Sequence, residues 1–198
     1  MAHRSRLLGI VLIAAAASCP SPDPGERPKG DLGFMPIAKP KPDWVPVSII
    51  LEPELIDHWP EIHDAMRMAI VWLNKVAGLK LFNELGETKG DGLMVPIMDL
   101  RERACNPDQG VHCHYSALAF TKFNARYEPQ AVYIDTEDLQ GDFDFDTLKW
   151  AMAHELGHVL GLDHDTIRES LMFREALKRE PELTQADKDL LWSVFGDG

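Results

Sequence analysis

Residues 154–164 read His-Glu-Leu-Gly-His-Val-Leu-Gly-Leu-Asp-His, a spacing of side chains that could hold a metal ion and use it for hydrolysis. Positions four apart on a helix share one face about one turn apart, so His154 and His158 can aim their imidazoles at a common centre. Gly161 can adopt a positive φ, stop the helix and turn the chain back. His164 can then supply a third nitrogen. Three protein ligands leave one tetrahedral position for water, as a catalytic zinc requires, whereas a structural site would be closed by a fourth ligand. Glu155 is adjacent to the ligands without being one. It is the candidate base that takes a proton from a zinc-activated water attacking a carbonyl, and the acid that returns it to the leaving amine. No nucleophilic side chain is needed.

The pattern resembles the metzincin family of zinc endopeptidases, whose signature is His-Glu-x-x-His-x-x-Gly-x-x-His followed by a methionine turn. Ser170-Leu171-Met172 follows His164 at a short distance, and Met172 is the candidate for the residue beneath the zinc. Leu183-Thr184-Gln185-Ala186-Asp187, followed by an apolar helical pattern to Phe195-Gly196, looks like the last helix of the matrixin branch. The resemblance is strong over 146–196 and extends to 44–145 in element order only. It implies an α/β (α+β) zincin domain: a twisted mixed sheet with a long backing helix, an active-site helix and a C-terminal helix. It also implies one catalytic Zn2+ and a peptide or protein substrate that pairs with an edge strand above the cleft. That role falls on Ala117–Thr121, where main-chain hydrogen bonds would give affinity and pockets selectivity. Some metzincins place a tyrosine just after the methionine turn; here Phe173 and Arg174 follow Met172, so that role is vacant.

The elements that must position these residues are legible from periodicity. On the active-site helix Leu148, Met152, Leu156, Val159 and Leu160 gather opposite the histidines, so one face takes the metal and the other the core. Val45 to Leu51 is rich in β-branched residues and predicts a first strand. After Pro60, Ile62, Met66, Ala69, Ile70, Leu73 and Val76 recur at helical spacing until Gly78, which predicts a long helix behind the sheet. Met66 and Met68 read as core filler on that helix. Leu79–Phe82 and Leu93–Met98 are further strand candidates, with Gly90-Asp91-Gly92 as the turn between them. Ser116 to Asn124 alternates as an edge strand would, and Ala131–Asp135 reads as an interior strand.

A chain of 198 residues, 45% hydrophobic and 26% charged, suits one globular domain with short appendages. Its net charge of −12 argues against nucleic acid or anionic lipid as an electrostatic partner, and a monomer is the expectation. Residues 1–18 carry His3, Arg4 and Arg6 and then an apolar run from Leu7 to Ala17, too short to span a bilayer and shaped like a signal peptide. Ala16-Ala17-Ser18-Cys19 resembles a bacterial lipobox, in which Cys19 would be lipidated and become the mature N-terminus; the alternatives are simple secretion after cleavage at small residues and an uncleaved anchor. Membrane association is expected only through such an anchor. Residues 19–43 form a proline-rich tether, with seven prolines between Pro20 and Asp43, and the catalytic domain is placed at 44–198. The tether has no cysteine-switch segment, so latency of that kind is not expected.

Cys105 and Cys113 fall eight positions apart in a polar loop. Export favours a disulfide between them, and the alternative is a second metal site with His112 and His114. Asp135, Glu137, Asp138, Asp142, Asp144 and Asp146 also admit two readings. Asp144 or Asp146 can cap the following helix, or the carboxylates can hold a structural Ca2+, which matrixins often have. Asp163 and Asp165, flanking His164, are either turn residues or acceptors that orient a histidine. For the whole chain, an exported zinc endopeptidase stands against a zinc-stabilised binding module on the same fold without turnover. Glu155 separates them, because a non-catalytic relative has no chemical use for it.

Overall fold

A computed structural model of the chain describes residues 40–88, 92–100, 118–124, 126, 128–136, 144–173 and 179–196. Four strands, β1 (Ser48–Leu51), β2 (Met94–Asp99), β3 (Ala119–Phe123) and β4 (Pro129–Ile134), form one sheet in the order β1-β2-β4-β3. β1, β2 and β4 are parallel, while β3 runs antiparallel to β4. The helices are α1 (Pro53–His58), α2 (Pro60–Ala77), α3 (Phe145–Val159) and α4 (Gln185–Phe195). This is the mixed α/β architecture that the element order and the resemblance imply, with α2 as the backing helix and α3 carrying the histidines.

Alternation along the strands assigns the two faces of the sheet. Ile49, Leu51, Val95, Ile97, Ala119, Val132 and Ile134 point into the main core. There they meet Ile62, Ala65, Met66, Ala69, Ile70 and Leu73 of α2, and Leu148, Met152, Leu156 and Val159 of α3. Met98, Ala131 and Tyr133 point the other way, with Phe120 stacked on Tyr133 at 5.2 Å. From Trp150 to Val159 α3 is buried on every side, histidines included, so its polar residues there sit inside a packed layer and must find partners in it.

Local chemistry explains the helix ends. Asp144 caps α3, accepting from Asp146 N and Thr147 Oγ1, and Asp146 pairs with Lys149. Two of the six acidic residues are thereby accounted for by the helix start. α2 ends at Gly78 with φ +68°. α4 opens with a reciprocal capping box between Thr184 and Asp187, and Trp192 Nε1 donates to Ala77 O, tying it to the end of α2.

Several expectations need correction. Leu79–Phe82 is not a full strand: it makes a single bridge, Val47 to Phe82, with the residue just before β1. The Asn74 side chain takes up the other backbone groups, its Oδ1 accepting from Leu81 N and Phe82 N and its Nδ2 donating to Phe82 O. Met68 is not core filler but 39% exposed, because two residues from Met66 it stands on the opposite side of α2. α1 was not anticipated, being a six-residue helix that buries only Leu55. β1 begins at Ser48 rather than Val45. Cys19, Cys105, Cys113, Ala117, Glu137, Asp138 and Asp142 lie outside the described residues.

Candidate metal centre

The site is made by two turns acting on one helix. Past Val159 the chain enters a Schellman motif: Leu162 N donates to Gly157 O at 3.0 Å and Gly161 N to His158 O at 2.9 Å. Gly161 takes φ +85°, a conformation that would strain any residue with a Cβ. The reversal buries Leu162 and brings His164 back over the helix end. The second turn brings Met172 against α3 from below. Ser170 Oγ accepts from Met172 N at 3.0 Å, and Asp165 N donates to Met172 O at 3.1 Å. A Cβ at Gly157 would lie 2.5 Å from Met172 Sδ, so the helix offers a glycine where the methionine presses closest.

His154, His158 and His164 converge, and among the described residues they are the one group of three metal-ligating side chains within reach of a common ion. His154 Nε2 and His158 Nε2 each lie 3.2 Å from His164 Nε2. A tetrahedral zinc with bonds of about 2.0–2.1 Å separates its ligand nitrogens by about 3.3–3.4 Å, so the spacing fits. The far ring nitrogens carry the argument further. His154 Nδ1 donates to Leu171 O at 2.7 Å and His158 Nδ1 to Leu162 O at 2.9 Å. With Nδ1 protonated, a neutral ring has only a lone pair at Nε2. Burial pushes His154 down to about 4 and His158 well below its ordinary value, the neighbouring histidines adding to the effect. Both rings are therefore neutral near pH 7 and turn their lone pairs toward one point, an arrangement that repels itself unless a cation sits there. The donor set fits Zn2+: borderline nitrogen ligands, three in number, two of them already oriented by carbonyls.

Glu155 is 2% exposed and sits between the histidine face and the sheet. Burial raises its carboxyl to about 7, against two opposing hydrogen bonds from Thr121. Thr121 Oγ1 lies 2.7 Å from Glu155 Oε2 and 3.1 Å from Glu155 O. Beside the site lies β3, an edge of the sheet among the described residues.

The predicted site residues within the described chain, His154, Glu155, His158, His164 and Met172, are brought together. Asp163 and Asp165 act as turn residues, accepting from His164 N and Ile167 N. Main-chain carbonyls of Leu162 and Leu171 orient His158 and His154. Sequence reasoning could not find these, since a carbonyl carries no residue-type signal. Thr121 was also missed, although a lone hydroxyl at an inward-facing strand position was a usable clue.

The matrixin family model matches residues 59–196, from the residue before α2 to the glycine that ends α4. No curated protein matches the chain. The match covers most of the sequence, and within it lie the histidine triad, the glycine-dependent turn and the buried methionine that the geometry singles out; the chain belongs to the matrixin family.

Proposed function

We propose that this protein is an exported zinc endopeptidase in which His154, His158 and His164 hold the metal and Glu155 is the general base and acid. The observation that supports this best is the pairing of three converging histidine nitrogens with a carboxylate that is next to them yet bonded elsewhere. Zinc held there supplies Lewis-acid activation of water and of the scissile carbonyl. The remaining work falls to the chain. Leu162 O and Leu171 O keep the imidazoles of His158 and His154 neutral and aimed. Glu155 takes the proton of the attacking water and delivers it to the amine nitrogen as the peptide bond breaks, so the carboxylate ends each cycle as it began. Met172 supports the triad from beneath Gly157, and an extended peptide along β3 is the substrate class that fits an open sheet edge.

The export apparatus belongs to the same proposal: residues 1–18 as signal peptide, Cys19 as lipidation site, 19–43 as tether, and Cys105–Cys113 as a disulfide. The calcium reading rests on Asp135, Glu137, Asp138 and Asp142, since Asp144 and Asp146 serve the start of α3.

Glu155→Gln tests the function. It keeps size and all three ligands, so zinc content stays at the wild-type level while hydrolysis of a diverse peptide library falls by about 10²–10⁴-fold, the usual contribution of a general base. His158→Ala removes a ligand and loses both metal and activity. Cleavage at the wild-type rate by Glu155→Gln would remove Glu155 from the mechanism. A fully zinc-loaded wild type that hydrolyses nothing would leave the non-catalytic binding module as the reading.

A further inference from the structure

Thr121 stands on β3 at a position where the strand needs an apolar side chain. Its neighbours on the inward face, Ala119 beside it and Val132 paired with it across the ladder, are buried in the main core, and Thr121 itself is 4% exposed. Valine has the same shape and the same preference for strands. A hydroxyl in its place is unfavourable unless it is hydrogen-bonded, and both partners of this hydroxyl belong to Glu155.

The hydroxyl has one proton for two acceptors. Oε2 at 2.7 Å is at the length of a bond to a carboxylate, whereas Glu155 O at 3.1 Å is a neutral carbonyl and a longer contact, so the proton belongs to Oε2. Oε2 is held by the Thr121 hydroxyl, and the Thr121 backbone adds a second hydrogen bond to the same carboxyl, so both come from one residue of the sheet. A carboxylate on a helix has three rotatable bonds; anchoring one oxygen from a neighbouring layer removes most of that freedom before substrate arrives.

We infer that Thr121 is a positioning residue that fixes the Glu155 carboxylate from the edge strand in the orientation in which it exchanges the proton. This rests on the peptidase reading given above. It also ties the base to the strand along which substrate would lie, so the two partners of the proton transfer share one rigid support.

The test is Thr121→Val, with Thr121→Ser as the conservative control. In the zinc-loaded protein Thr121→Val lowers kcat at least about tenfold, the scale of one hydrogen bond to a charged group, with KM and zinc content unchanged. Thr121→Ser retains the hydroxyl and recovers most of the loss. In a Glu155→Gln background Thr121→Val has little further effect on the residual rate. A readout independent of turnover is the urea midpoint of the metal-free proteins at pH 8: Thr121→Val lowers it in the wild type and lowers it less beside Glu155→Gln. Unimpaired kcat in an active Thr121→Val protein overturns the inference alone. So does a loss that Thr121→Ser fails to recover, or one that appears in KM or zinc content rather than kcat. An inactive, zinc-loaded wild type overturns the peptidase reading and this inference with it.

Discussion

Glu155→Gln should change not only turnover but the pH dependence of stability, and the size follows from burial. The Glu155 carboxyl is raised from 4.5 to about 7, with burial as the dominant cause. A group whose folded pKa lies above its unfolded value binds more protons in the native state. Its contribution is fully present below pH 4.5 and is lost as pH rises through about 7. At about 1.4 kcal/mol per unit, the wild-type loss is on the order of 3 kcal/mol. Glutamine does not titrate, so the variant keeps what the wild type loses. Histidine titration is common to both proteins and cancels in the difference, since Glu155 is not among the causes that depress His154 or His158. The measurement is thermal unfolding of both proteins in chelator from pH 4.5 to 8. The melting temperature of Glu155→Gln should gain on the wild type across this range by roughly 6–12 °C, using about 2–4 °C per kcal/mol for a domain of this size. Parallel curves, or a gap that closes with rising pH, would refute the claim that the carboxylate is buried at an energetic cost.

Gly161→Ala places a Cβ on a residue at φ +85°, which should destabilise the protein by about 1–2 kcal/mol and weaken zinc binding by shifting Leu162 O away from His158. Unchanged unfolding and zinc titration curves would show that the turn is not needed. Cys105 and Cys113 should be unreactive to thiol reagents in denatured, unreduced exported protein, their bond contributing about 2–3 kcal/mol; two free thiols would contradict the pairing. Cys19→Ala should move the protein from the detergent phase to the aqueous phase, and unchanged partitioning would favour simple secretion.

The ligands, the base and the turn were legible in the sequence because all are local. His154, Glu155 and His158 depend only on helical period, and Gly161 only on the φ that a reversal requires. The apolar faces of α2 and α3 were readable for the same reason, whereas α4 was placed by resemblance and the capping box at its start is a finding of the structure. What tertiary structure decided is what meets those residues from afar. Thr121 reaches Glu155 across 34 positions and Leu171 O reaches His154 across 17. No periodicity encodes either contact, because strand order β1-β2-β4-β3 and the packing of α3 against β3 set them. Leu79–Phe82 makes the same point from the other side. Its β-prone residues make one bridge, through Val47, and the Asn74 side chain from α2 takes Leu81 N and both backbone groups of Phe82, so the pairing goes no further. A backbone group bonds to whichever partner the packed layers bring within 3 Å, and local propensity has no knowledge of that partner.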